Sequence, residues 1–151
     1  MTLTTDDISC LRRQIKLHEG FMPHAYQDPK GLWTIGFGRM IDKAQGGGIT
    51  IDEGYWLLDN DLDRCDEDLK RFDWYEKLAG PRKHAILEMR FQLGGDGFRA
   101  FRKMLAAIPM AIETGDWSPV ASEALDSKWA REDSPKRASE IAEQLRVGSY
   151  P

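Results

Sequence analysis

The 151-residue chain is poor in the residues that build disulfide frameworks, metal centres and membrane anchors. It has two cysteines, Cys10 and Cys65, which make neither a disulfide framework nor a thiolate metal set. Its three histidines, His18, His24 and His84, stand at no ligand spacing with either cysteine, so no structural zinc is expected. No apolar run approaches the length of about 18 residues that reads as a membrane span. The opening MTLTTDDISCLRRQIK is polar and alternating, so it is not expected to act as a secretory signal. A basic excess is also missing: 21 Lys and Arg face 25 Asp and Glu, for a net charge of −4. That balance argues against a nucleic-acid partner.

What is present suits a globular protein, with 41% hydrophobic and 30% charged residues. Thr5 followed by Asp6 and Asp7 is a helix start, and Ile8, Leu11 and Ile15 keep helical spacing up to a stop at Gly20. The pattern then changes to aromatic, β-branched, Gly and Pro residues. Asp28-Pro29-Lys30-Gly31 fits a type I turn, so His24–Gln27 and Leu32–Gly36 read as short antiparallel strands around it. Gly46-Gly47-Gly48 reads as a flexible break.

Thr50 and Glu53 then form a capping box. Ile51, Tyr55, Leu58, Leu62, Cys65, Leu69 and Phe72 follow as one apolar stripe on a long helix. Its other faces are acidic, with ten Asp/Glu and three Arg/Lys over residues 52–76, and read as solvated. Cys65 lies in the stripe and reads as a small buried hydrophobe. Gly80-Pro81 opens a central helix, ended by Gly94-Gly95 and Gly97. Phe98–Ile108 is a shorter helix cut at Pro109. Ser118-Pro119 and Ser134-Pro135 each pair a capping Ser with Pro, opening helices near 119–130 and 135–146. The organisation is α+β, with the strands gathered in one small lobe.

The stretch HEGFMPHAYQDPKGLWTIGFGR, from His18 to Arg39, carries the chemistry. Glu19 closes the first helix, where the dipole disfavours a carboxylate by about 0.3–1 kcal/mol. That placement points to a reason outside stability. Asp28 before Pro is a common turn residue, and Thr34 an ordinary strand residue. Together, a carboxylate at a helix end and one on an adjacent turn can flank an extended substrate. Glycoside hydrolysis needs such a pair, one protonated to serve the leaving oxygen and one ionised. Burial against apolar groups raises one pKa, and a polar turn leaves the other low. Phe21, Trp33 and Phe37 are near enough in sequence to supply the apolar surroundings.

The same stretch closely resembles the catalytic region of the phage-type lysozymes, the glycoside hydrolase family that includes the lysozymes of T-even phages. Glu19, Gly20, Tyr26, Asp28, Gly31, Trp33, Thr34, Ile35, Gly36 and Gly38 match the family pattern at its spacing. Thr50-x-Asp52-Glu53 resembles the start of the inter-lobe helix, and Phe91-Gln92-Leu93-Gly94 the family's Phe-Gln-Met-Gly. Trp117, Ser127-Lys128-Trp129 and Ser134-Pro135-Lys136-Arg137-Ala138 recur in family order. The resemblance implies a lysozyme-like α+β fold over residues 1–151 as a single domain. A small β-hairpin lobe at about 18–50 and an inter-lobe helix at about 50–71 precede a helical lobe at about 72–151, which the N-terminal helix joins.

It also implies a muramidase. The enzyme would hydrolyse the β-1,4 bond between N-acetylmuramic acid and N-acetylglucosamine in peptidoglycan glycan strands, with inversion. Glu19 would be the general acid, and Asp28 and Thr34 would hold the attacking water. Met40, Phe91, Gln92, Met104 and Glu123 would contact substrate, and Arg137 would pair with the catalytic Glu. No metal or organic cofactor is implied, nor membrane insertion. The protein would be a monomer, made in the host cytoplasm and reaching the wall after a separate holin permeabilises the membrane. The alternatives are a lytic transglycosylase and a non-catalytic wall-binding or virion module on the same fold. Several positions depart from the family. Arg39 replaces the usual His and is expected to pair with Asp61, Glu123 replaces a neutral residue, the loop from Arg39 to Thr50 is short, and Leu105–Gly115 is long.

Overall fold

The computed structural model describes residues 4–150. Its contacts divide the chain into two units, Met1–Tyr55 and Trp56–Pro151. The first holds helix α1 (Thr5–Glu19), strands β1 (Met22–Gln27), β2 (Trp33–Gly36) and β3 (Arg39–Met40), and the first turn of α2 (Ile51–Leu69). The second holds the rest of α2, then α3 (Gly80–Arg99), α4 (Arg102–Thr114), α5 (Ser118–Leu125) and α6 (Pro135–Val147).

In the first unit, the cap of α1 falls on Thr4 rather than Thr5. The Thr4 hydroxyl accepts from the Asp7 N–H at 3.2 Å, and the Asp7 carboxylate accepts from the Thr4 N–H at 2.9 Å. Gly20, at φ 67°, stops the helix and returns its N–H to the Lys16 carbonyl. The three strands form one antiparallel sheet in the order β1-β2-β3, with Tyr26 opposite Thr34, and Thr34 opposite Met40. β3 is two residues long, too short for any alternation to announce it. The residues expected to form a flexible break follow a short 3₁₀ turn (Lys43–Gln45), where Gly47 donates to the Asp42 carbonyl at 2.8 Å.

The capping box of α2 forms as read: Thr50 N–H donates to Glu53 Oε2 at 2.7 Å, and Glu53 N–H to Thr50 Oγ1 at 3.2 Å. The apolar stripe behind it is buried only toward its end, at Cys65 and Leu69, whereas Ile51 and Tyr55 are exposed.

The second unit is organised by a continuous apolar core that includes Leu69, Tyr75, Ile86, Met89, Phe98, Ile108, Trp117, Val120, Ile141 and Leu145. Each large side chain buried this fully contributes about 1.5–3 kcal/mol relative to exposure. That packing overrides two local signals. Helix α3 does not end at Gly94; it kinks there, at φ 70° and ψ 172°, and resumes to Arg99. Helix α4 runs through Pro109, which costs a helix interior about 3 kcal/mol or more. Met104, Ile108 and Ala111 on the same helix are all buried and offset that cost.

The two Ser-Pro starts are also built differently from expectation. Asp116 Oδ1, not a serine hydroxyl, accepts the Ser118 N–H at 3.0 Å. Ser134 precedes α6, but its hydroxyl is taken by Gln92 Nε2 at 2.7 Å. The segment expected as one helix near 119–130 is α5 followed by a π-helical turn at Trp129–Asp133. At the far end of α6, Arg82 donates to the carbonyls of Leu145 and Arg146 at 2.9 and 3.3 Å, and stacks over Trp117. The architecture is α+β, the lysozyme-like class that the resemblance implies.

Candidate active site

The last residue of α1 is Glu19, and its side chain meets the β2–β3 turn. A β-carbon at position 38 would stand 2.9 Å from Glu19 Oε2 and 3.3 Å from its Cδ. A side chain at this position would push the Glu19 carboxylate aside, and the φ of +76° is also strained for any residue with a β-carbon. Two of the aromatic residues expected near Glu19, Phe21 and Phe37, lie against each other, 5.2 Å apart between centroids. Glu19 and both rings are solvent-exposed.

Asp28 is held by its own turn. Its Oδ1 accepts the N–H groups of Lys30 and Leu32, each at 2.8 Å. Its backbone closes the loop twice, through Asp28 N–H to the Leu32 carbonyl at 2.9 Å and Gly31 N–H to the Asp28 carbonyl at 2.8 Å. The second of these is the i to i+3 bond expected of the turn. Oδ2 accepts no hydrogen bond among the described residues, so one carboxylate oxygen is fixed and the other is available.

Thr34 is in the central strand, and it is the one fully buried residue among the described residues of the first unit, at 5% exposure. Its hydroxyl donates to the Leu32 carbonyl at 3.2 Å. The Leu32 peptide therefore joins the two residues, its N–H bound to Asp28 and its C=O bound to Thr34. With its proton committed, Thr34 Oγ1 presents lone pairs, which suits it to accept a hydrogen from a small molecule. Met40 lies opposite Thr34 across β2 and β3. No sequence signal marks Leu32, because only its backbone is used.

Arg39 forms a different ion pair from the expected one. Its guanidinium grips Glu53 by two bonds, Nη1 to Oε1 at 2.6 Å and Nη2 to Oε2 at 2.9 Å. It also donates Nε and Nη2 to the Gly48 carbonyl, at 3.1 and 2.8 Å. Asp61 pairs instead with Arg64, three residues along the same helix. The reason is local: the capping box holds Glu53 at the start of α2 with its carboxylate already turned back toward Thr50. The Arg39 hydrogen bonds, followed by those from Thr50, pull the Glu53 carboxyl from its ordinary value down to about 2.

The remaining expected site residues belong to the second unit. Phe91 is partly exposed on α3. Both ends of the Gln92 amide are engaged, Nε2 with Ser134 and Oε1 with the Trp129 indole N–H at 3.1 Å. Met104 is 1% exposed and packs in the apolar core, so as placed it offers no surface to a sugar. Glu123 is half-buried and lines a cavity of about 660 Å³ with Phe101 and Trp129. Arg137 pairs with Glu88 at 3.7 Å. Among the described residues, no group of three or more His, Cys, Asp or Glu is arranged to hold a metal ion.

The arrangement in the first unit can do two things chemically. It offers a carboxyl group at Glu19 and, separately, a rigid pair of acceptors at Asp28 and Thr34. Comparison with known proteins adds a lineage. The family model described as Phage lysozyme matches residues 16–141. Two curated relatives, "Probable T4-type lysozyme 1" and "Probable T4-type lysozyme 2" of Dictyostelium discoideum, are each 24% identical, over 94% of this chain and 96% of theirs. The "Pre-baseplate central spike protein Gp5" of Enterobacteria phage T4 is 26% identical, over 92% of this chain and 28% of that protein.

Proposed function

The chain belongs to the phage lysozyme family, and we propose that this lysozyme-like glycan hydrolase is an inverting muramidase. Its bond is the β-1,4 linkage from N-acetylmuramic acid to N-acetylglucosamine in peptidoglycan. The observation that carries the reading is the Asp28–Leu32–Thr34 brace with its free Asp28 oxygen.

A water donating one hydrogen to Asp28 Oδ2 and the other to Thr34 Oγ1 keeps its oxygen lone pairs free to attack. Attack at the anomeric carbon forms the new C–O bond as the glycosidic bond breaks. Glu19 gives its proton to the departing oxygen, and Asp28 takes one from the attacking water. Solvent then returns both groups to their starting states. The β linkage yields an α product, and a separation of about 6.5–9.5 Å between the carboxyl groups leaves room for the water. Met40, opposite Thr34 in the sheet, would line the glycan. The protein would accumulate in the host cytoplasm and act on the wall after a holin opens the membrane, as a monomeric endolysin. Host cell lysis and antibacterial action would follow from that.

A lytic transglycosylase needs the acid but no activated water, and a binding module needs neither, so the brace argues against both. The similarity to a spike protein keeps a virion-borne placement as the second reading. Digestion of purified peptidoglycan, followed by mass spectrometry and early-time NMR, tests the proposal. Reducing ends that appear first as the α anomer are expected. Anhydro-muramyl ends would mean a transglycosylase, a first-formed β anomer a retaining enzyme, and no cleavage a binding or structural module.

A further inference from the structure

We infer that Arg39 is a positioning residue for the reaction: by clamping Gly48 and Glu53 together, it holds the turn that carries Gly38 against Glu19. The inference rests on the proposed hydrolytic reading.

The β2–β3 turn has little stiffness of its own. Its third strand contributes only two residue pairs, Thr34 with Met40 and Ile35 with Arg39. Gly36 and Gly38 both stand at positive φ, where the backbone is permissive. The phenyl ring between them, Phe37, is exposed and meets Phe21. Yet this turn stands directly against the proposed acid, at Gly38.

Arg39 follows Gly38 directly and is fastened at both ends of the segment after it. Four hydrogen bonds leave its guanidinium, two to the Gly48 carbonyl and two to Glu53. Gly48 in turn gives its N–H to the Met40 carbonyl at 3.3 Å, and Ile41 gives its N–H to the Trp33 carbonyl at 2.8 Å. The start of α2 is thereby tied to β3, and β3 to the strand that holds Thr34. A forked guanidinium can make this contact with both carboxylate oxygens at once; a lysine cannot.

Exposure separates positioning from plain stabilisation. The Arg39 and Glu53 side chains are 47% and 41% exposed, and ion pairs so placed add little to folding stability. A merely structural role therefore predicts small changes in both melting temperature and turnover. A positioning role predicts a large change in turnover alone, because a shift near 1 Å in a catalytic group can cost about 100-fold.

The test measures kcat and KM on a soluble peptidoglycan fragment for wild type, Arg39→Met, Glu53→Gln and the double variant, each well below its melting temperature. We expect kcat to fall about 10–100-fold in Arg39→Met, with KM within about two-fold of wild type. The double variant should be no worse than Arg39→Met, because the two residues form one device. The Gly38 amide resonance should shift in Glu53→Gln, which leaves both sequence neighbours of Gly38 unchanged. A kcat within about two-fold of wild type in folded Arg39→Met, or losses that multiply in the double variant, overturns the inference. If Arg39→Met fails to fold, Arg39→Lys replaces it. A several-fold loss of kcat there supports the clamp, and an unchanged kcat rejects it. A wild type that releases no reducing ends overturns the hydrolytic reading instead. The clamp is then judged by the Gly38 resonance in Glu53→Gln, which an idle Arg39–Glu53 pair leaves in place.

Discussion

The two units of this chain are held together by different physics. The second buries Tyr75, Ile86, Met89, Phe98, Ile108 and Leu145 almost completely, and its helices follow that core even through Pro109. The first buries only Thr34 among its described residues and leaves Phe21, Trp33 and Phe37 exposed. Directional contacts order it instead: the Asp28 turn, the Leu32 peptide, the Arg39 clamp and a set of glycines. Six of the ten positive-φ glycines, Gly20, Gly31, Gly36, Gly38, Gly46 and Gly48, fall in its 55 residues. Apolar packing fixes where a helix sits; hydrogen bonds and glycine turns fix where a single oxygen sits. Chemistry that needs the second kind of precision is found in the second kind of structure.

Substitutions in the two units should then fail in opposite ways. The largest expected effect is at Glu19. Glu19→Gln keeps the shape and removes the acidic proton, and general acid catalysis is worth about 10²–10⁴-fold. Wall-clearing activity should drop by that factor while the melting temperature holds. A folded Glu19→Gln that clears walls at the wild-type rate would remove Glu19 from the mechanism. In the second unit, Phe98→Ala should cost about 3–5 kcal/mol in urea melts, as a large buried ring does. Its kcat per folded molecule should stay near wild type at low temperature. A loss of kcat without loss of stability there would blur the division between the units.

Gly38→Ala should act on both properties. The left-handed backbone at φ +76° costs a residue with a β-carbon roughly 1–2 kcal/mol. The new methyl would also displace Glu19 Oε2, now 2.9 Å from where it would sit. Activity should therefore fall by more than the stability loss explains, while the exposed Gly46→Ala, at φ +70° with open space around it, should show the strain alone. Equal kcat in the two folded variants would mean that the Glu19 contact has no catalytic weight.

These contrasts also explain what could be read from the sequence. The helices were legible because their apolar stripes and caps are local patterns, and α2 begins at the box that Thr50 and Glu53 announce. Glu19, Asp28 and Thr34 were legible as a set only through the family pattern; each alone is an ordinary residue. What was not legible depends on partners distant in sequence. Ser134 looks like a cap, but Gln92, 42 residues earlier, claims its hydroxyl. Pro109 looks like a stop, but buried neighbours on both sides carry the helix past it. Leu32 ties Asp28 to Thr34 through its backbone, which no side-chain pattern reports. The family pattern points Arg39 to Asp61, and nothing in the capping box at Thr50 announces that its Glu53 carboxylate serves Arg39 as well.

That double use of Glu53 gives the smallest expected effect and the one with a pH signature. Glu53→Gln keeps an acceptor for the Thr50 N–H, since Gln also completes a capping box, and removes only the charge facing Arg39. The folded carboxyl is depressed from 4.5 to about 2, chiefly by Arg39. A depressed acid contributes stability that is complete above its unfolded pKa and lost as pH falls through the folded one. Arg39 stays charged throughout, so nothing changes on the alkaline side. The stability gap between wild type and Glu53→Gln should therefore be flat from about pH 9 down to about pH 5, then close progressively toward pH 2. Urea melts at several pH values measure it. A His in place of Arg39 would give the reverse, a gap that shrinks on the alkaline side as the imidazole loses its proton. A gap that closes between pH 5 and pH 9, or one that persists undiminished at pH 2, would mean that the Arg39–Glu53 pair does not order this turn in solution.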